Sequence, residues 1–389
     1  MRRQTTNNKV VYFWKMVKIH FLFIFFTLGF NQIYAQGIAS FTPTEITGGI
    51  GEILTIKGNG FGVTQADNYV SFFTEGGQYT SADESKKFRY ISWNDSEIRL
   101  EMPVAYSNKV KVLIAGSTFE SANSLRVMAN LGYRSANPLV YDYLIDRNER
   151  GGITWFIHPT FWNNIEIREA IADVVREFRC KTGVNYTIEP LKDGIPFNLD
   201  QGIHIIAPDK ELAPVGYNSK LWSSCILGSE TFYYNKTQLL HFSTEMKWYY
   251  GKGKTPSGTT KFRYVLFHEM GHSLGLSHVN EEGQSMYPSV NLLPSDNWSE
   301  RDSITVSEKN AIRHYVEESQ NFTFRACGVE PLSVLKDCKN VYSQNVGISS
   351  NFHQEIFVYP NPATQDIFLE GLPTAVKSIR ILNILGETM

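Results

Sequence analysis

The chain is short of cysteine, of net charge and of long apolar stretches, and each shortage excludes something. Only four cysteines occur in 389 residues, and none stands beside a histidine at the spacing of a cysteine-based zinc site. A formal net charge of −2 provides no general attraction to nucleic acid or to an acidic membrane, so neither is expected as a partner. The apolar run "FLFIFFTLGF" (21–30) falls well below the roughly 20 residues of a membrane helix, so no stable span is expected. Charged residues are modest at 20% and aromatics high at 13%, a balance that suits a folded extracellular protein.

That short apolar run follows Arg2, Arg3, Lys9, Lys15 and Lys18 and precedes a small residue, Ala35. The order of charge, apolar core and small residue is that of an export signal, so residues 1–35 are set aside and a secreted or cell-surface chain is expected to begin near Gln36. In such a setting an even number of cysteines predicts disulfides. Cys180, Cys225, Cys327 and Cys338 allow three pairings. Cys327 with Cys338 is the local candidate, which leaves Cys180 with Cys225.

The length predicts two to three folded units. Over 36–128 the pattern has period two: Ile98, Leu100 and Met102 alternate with Glu97, Arg99 and Glu101, and Val110, Val112 and Ile114 alternate with charged neighbours. One wet and one dry face predict an antiparallel β-sandwich. The stretches "SFTPTEITGGIGEILTIKGNGFG" (40–62) and "YISWNDSEIRLEMPV" (90–104) resemble the immunoglobulin-like IPT/TIG modules, with Gly58, Gly60, Phe61 and Gly62 in the glycine-rich turn. No nucleophile or acid cluster occurs there, so a spacer or binding role is expected.

A linker is expected over 129–150, and then the period changes. Ile167, Ile171, Val174, Val175 and Phe178 recur at helical spacing and end at Gly183, while strand-like runs surround them: "GITWFIHP" (152–159), "VNYTIEP" (184–190), "GIHIIAP" (202–208) and "ETFYYN" (230–235). This predicts an α+β unit, a mixed sheet with helices packed on it, over 151–325.

A second helix, expected to begin near Thr259, carries "HEMGHSLGLSH" (268–278). Phe262, Leu266, Met270 and Leu274 form an apolar face, and His268 and His272, one turn apart, lie on the other side where they can grip one ion. Glu269 leans towards the same site as a base for an activated water. Gly275 lets the backbone leave the helix so that His278 can return as a third ligand, and three neutral nitrogens leave a position open.

These positions, with Met286 in "SMYP", resemble the metzincin zinc endopeptidases, and the "MYP" form is most similar to the matrixins. The resemblance implies one catalytic zinc ion on His268, His272 and His278, Glu269 as general base, Met286 in a turn beneath the metal, and Tyr287 and Pro288 in the pocket wall. It implies a protein or peptide substrate bound along an edge strand, with "GIHIIAP" or its neighbour as the candidate. The helix with Thr305 and Glu308 spaced as a capping box resembles the matrixin C-terminal helix. The chain departs from that family: no propeptide cysteine is found, nor a downstream propeller, nor a set of aspartates to support the calcium that the resemblance would allow. The alternative from another class is a surface adhesion protein that keeps the metal helix as scaffold, and a third reading is a zinc hydrolase of non-peptide amides.

After a second expected linker (326–356), residues 357–389 open with Tyr359, Pro360, Asn361 and Pro362. This resembles the beginning of the C-terminal sorting domain of type IX secretion in Bacteroidetes-like bacteria, which implies that machinery as a partner and a sorting domain present only in part.

Overall fold

The structure is a computed structural model that describes residues 36–132, 142–199, 202–211, 215–227, 230–288, 303–321, 328–342, 357–359 and 368–370. The expected export signal, Cys327, and Pro360 to Pro362 lie outside these residues, as does the side chain of Cys225.

Alternation of apolar and charged residues produces two facing sheets at the N-terminal end. The strands are β1 (Gly37–Thr42), β2 (Glu45–Gly48), β3 (Ile53–Asn59), β4 (Tyr69–Ser71), β5 (Tyr90–Trp93), β6 (Glu97–Glu101), β7 (Asn108–Ile114) and β8 (Ser117–Leu131), with the short helix α1 (Ala82–Ser85) between β4 and β5. One sheet has the order β1-β3-β6-β5, and in the other β4, β7 and β8 are neighbours with β2 added on β8. The inward residues of the alternation, among them Leu54, Ile56, Ile98, Leu100, Val110, Val112 and Val127, are buried in one core between the sheets.

The second unit is built on a mixed sheet. Strands β9 (Asp142–Tyr143), β10 (Ile153–Ile157), β11 (Tyr186–Pro190), β12 (His204–Asp209), β13 (Gly216–Leu227) and β14 (Glu230–Ser243) assemble in the order β11-β10-β12-β14-β13, with β9 beside β14. All pairs are parallel except the hairpin β13–β14. Helix α2 (Pro159–Trp162) is a single turn, and α3 (Ile165–Thr182), α4 (Phe262–Ser273) and α5 (Val306–Gln320) complete the layer. Helix α3 starts where Asn164 accepts the amides of Glu166 and Ile167, and it ends at left-handed Gly183. Strands β15 (Trp248–Tyr249) and β16 (Thr260–Lys261) lead into α4 at Phe262, slightly later than Thr259.

Helix α4 differs from the two-faced helix expected. Tyr264, Phe267 and Glu269 are buried as well as Phe262, Leu266 and Met270, because α4 lies between the sheet, α3 and β17 and has little free surface. Only His268 and His272, and the cleft they open on, break that burial.

The two segments expected as linkers carry core. In the first, β8 runs on through Leu131 and pairs with β17 (Leu276–Ser277), and Leu144 is buried. In the second, Leu332 and Val341 are buried, and Tyr342 bridges to Ile188 of β11. Neither cysteine pairing proposed from the sequence is present: Cys180 is bonded to Cys338. The bond runs from the end of α3 to the 328–342 segment, where Arg179 donates to the carbonyls of Cys338 and Asp337. Proximity in the chain favoured Cys327, but the segment folds back across α3 and brings residues 158 apart together.

Near the C-terminus β18 (Phe357–Tyr359) and β19 (Phe368–Glu370) form an antiparallel pair. Among the described residues no helix is long and apolar enough to cross a membrane.

Closing so long a loop removes much freedom from the unfolded chain. The double substitution Cys180→Ser and Cys338→Ser should lower the unfolding free energy by about 2–5 kcal/mol, seen as a drop in the urea midpoint. An unchanged midpoint would show that the strap holds without the bond.

Candidate metal centre

The two histidines four residues apart on α4 project from the same side of the helix, as the 3.6-residue repeat requires. The helix stops at once after them. Gly275 has φ +82, a left-handed conformation that costs other residues energy, and the chain turns there into β17 and returns His278 to the helix.

The three rings converge. Nε2 of His278 lies 3.2 Å from Nε2 of His268 and 3.1 Å from Nε2 of His272. All three donor atoms lie within 4.8 Å of one another. Tetrahedral zinc with Zn–N distances near 2.0–2.1 Å separates its nitrogens by about 3.3 Å. The donor set therefore fits a zinc ion.

Each ring is oriented through its other nitrogen. His268 Nδ1 lies 2.7 Å from the Ser285 carbonyl, His272 Nδ1 lies 2.8 Å from the Leu276 carbonyl, and His278 Nδ1 lies 2.5 Å from Oε1 of Glu75. With Nδ1 as donor, Nε2 keeps its lone pair for a metal. Burial pushes His268 down to about 4, and burial together with the neighbouring imidazoles holds His272 well below its usual value. Both rings are thus neutral at physiological pH.

Glu269 is buried beside them. Burial pushes its carboxyl up to about 8, against the opposing pull of the Lys220 ammonium. A carboxylate with raised proton affinity, next to a site for water, is suited to take up a proton.

Met286 is fully buried under α4. A Cβ at position 271 would come within 2.4 Å of its sulfur, so glycine is what allows the turn to approach the helix. The turn is held from below by Glu308, the capping-box residue of α5. One carboxylate oxygen accepts the Ser285 hydroxyl (2.8 Å) and the Met286 amide (3.1 Å), and the other accepts the Thr305 amide (2.9 Å). Glu308 thereby fixes the carbonyl that orients His268. The sequence signalled its cap and not this second task, which depends on a distant turn.

The sheet presents β13 to the helix. Asn218 donates to the Glu269 carbonyl (3.1 Å), Lys220 to the His272 carbonyl (2.5 Å) and Gln238 to the Ser273 carbonyl (3.1 Å), serving carbonyls near the helix end. A cleft of about 680 Å³ lies over the three histidines, lined also by Tyr217, Lys220 and Trp222 of β13 and by Tyr287 and Pro288. Sequence reasoning missed the β13 residues, because "GYNSKLW" (216–222) has no apolar alternation to mark it as a strand beside the site. It also offered "GIHIIAP" or its neighbour for the edge. That segment forms β12, an interior strand between β10 and β14, and β13 is the strand at the edge.

On β14 His241 bonds Asp209 (2.8 Å) and Ser219 (2.9 Å) through its two ring nitrogens and packs against the Tyr217 ring.

The family model for matrixin matches residues 223–313, which include α4 and the Met286 turn, and the model for the IPT/TIG domain matches residues 37–127. The matrixin family implies a zinc cofactor and suggests a metallopeptidase. No curated protein gives a match. Among solved structures the chain is similar to a structural-genomics protein of unknown function from Bacteroides thetaiotaomicron, with 19% identity and a TM-score of 0.21 over 24% of this chain and 22% of that one. It is similar also to a structure described as domains CD of its protein, with 21% identity and a TM-score of 0.18 over 24% of this chain and 32% of that one. The chain therefore spans less than a third of the length of either.

Glu308→Ala would leave the Ser285 hydroxyl and two amides without their acceptor in a buried place. The expected loss is about 2–4 kcal/mol of stability, measured by thermal melting, together with faster hydrogen exchange at the Met286 amide. A variant as stable and as protected as the parent would remove Glu308 from this role.

Proposed function

We propose that this chain is a secreted zinc endopeptidase that cuts peptide bonds of extracellular proteins. The observation that carries the reading is the convergence of three imidazoles beside a buried glutamate, in a cleft bordered by an edge strand. His268, His272 and His278 would hold the ion. A zinc ion there supplies Lewis-acid activation of water and of a substrate carbonyl.

The chain's own residues do the rest. Glu269 takes a proton from the attacking water and passes it to the departing amine. An extended peptide adds itself to the free side of β13, where main-chain hydrogen bonds set its direction and alternate side chains enter the cleft. Tyr217, Trp222, Tyr287 and Pro288 then offer apolar and aromatic walls to the side chains beside the scissile bond. Export through the 1–35 signal and sorting through the 357–389 tail belong to the same proposal.

Digestion of casein tests it. Glu269→Ala should bind one zinc per chain as the parent does, yet lose about 10²–10⁴-fold in kcat. Undiminished cleavage by this variant would refute the assigned base. A strong chelator should abolish the parent's activity and added zinc should restore it; cleavage that persists in the metal-stripped protein would refute the metal mechanism.

A further inference from the structure

The third histidine is held differently from the other two. His268 and His272 find their outer partners in backbone carbonyls of the same unit, within the stretch that carries the motif and its turn. His278 instead meets a carboxylate from the N-terminal sandwich, 203 positions earlier in the chain.

Glu75 sits on a tightly braced hairpin turn. Both the amide and the hydroxyl of Thr74 donate to the Gln78 carbonyl (2.8 and 2.9 Å), and Gly77 donates back to Thr74 (3.0 Å). Phe73 and Tyr79 close the base of the turn as a bridged pair, and the Tyr106 amide donates to the Phe73 carbonyl (2.7 Å). Tyr106 lies close to the same carboxylate. Burial, reinforced by Glu75, keeps its phenol protonated and hence uncharged.

The chain around His278 is clamped to the same module at several points. Leu276 and Ser277 pair with Leu131 and Asn130 of β8, and Asn130 donates to the His278 carbonyl (3.0 Å). Asn280 and Ser107 exchange two hydrogen bonds, of 2.7 and 3.0 Å. Arg126 holds Glu281 through two nitrogens, at 3.0 and 3.1 Å. A turn so braced, facing a loop so clamped, puts a carboxylate on the ligand by construction rather than by chance encounter.

Building on the zinc reading above, we propose that the N-terminal module is part of the metal centre, with Glu75 as a positioning residue that orients His278 and strengthens its bond to the ion. An anionic partner on Nδ1–H fixes the ring plane and increases the basicity of Nε2. Removing such an outer partner typically weakens metal binding by about 10–100-fold. Here the Glu75 side chain is 60% exposed and that of His278 25%, so solvent screening places the effect near the lower bound, about tenfold.

The test uses the full chain and measures metal as well as turnover. Competition with a chromophoric chelator should show zinc bound about tenfold more weakly by Glu75→Ala, and the cobalt-substituted variant should show a shifted visible band as His278 loses its fixed orientation. Glu75→Gln should recover part of the affinity, because an amide oxygen still accepts from Nδ1 without the charge. The loss in casein hydrolysis should disappear when zinc is added to saturation. Parental zinc affinity and an unchanged cobalt spectrum in Glu75→Ala would overturn the proposal while leaving the endopeptidase reading intact. A parent chain that binds no zinc would overturn both. An unaltered melting temperature of the metal-free variants is expected from so exposed a residue, and it separates the metal effect from a folding defect.

Discussion

Three imidazole nitrogens within 4.8 Å of one another depend on three rings each held through its other nitrogen, and that constraint organises the molecule around them. Each ring is locked through Nδ1, and the three acceptors come from different places. Leu276 follows the helix directly, Ser285 belongs to a turn held up by Glu308 of α5, and Glu75 belongs to the N-terminal sandwich. The local helix therefore supplies two ligands, while the outer acceptors tie the site to parts of the fold far away in the chain.

Burial does the electrostatic tuning. The same low-polarity surroundings that lower the proton affinity of His268 and His272 raise that of Glu269, since in each case the uncharged form is favoured. Imidazoles kept free of extra protons and a carboxyl of raised proton affinity thus follow from one cause, the placing of α4 in the middle of its unit. Lys220 moderates this from β13, and it also donates to a carbonyl near the helix end, so the strand that borders the cleft takes part in holding the metal helix.

The contact between the two units continues that logic. Strand β8 of the sandwich is long enough to take β17, the short strand that carries the chain from α4 to His278, into its own sheet. A spacer on a flexible tether would leave such polar groups to water. Here Asn130, Ser107 and Arg126 meet partners on the ligand loop, which makes the relative placing of module and loop a matter of directed hydrogen bonds.

Features whose physics is local were legible in the sequence. The alternation of β6 and β7, the Asn and Gly ends of α3, the capping box of α5 and the spacing of His268, Glu269, His272, Gly275 and His278 each depend on residues a few positions apart. Features decided by distant packing were not. The Cys180–Cys338 bond, the burial of α4 everywhere but at the cleft, the interior position of β12 with β13 at the edge, the reach of Glu308 to Met286, and Glu75 on His278 all join segments that only the completed fold brings together. The sequence by itself determined which chemical groups stand one turn apart on a helix, because backbone geometry repeats at short range. The tertiary structure alone decided which acceptors orient them and which strand faces them, because a hydrogen bond depends on position in space and carries no trace of the distance along the chain.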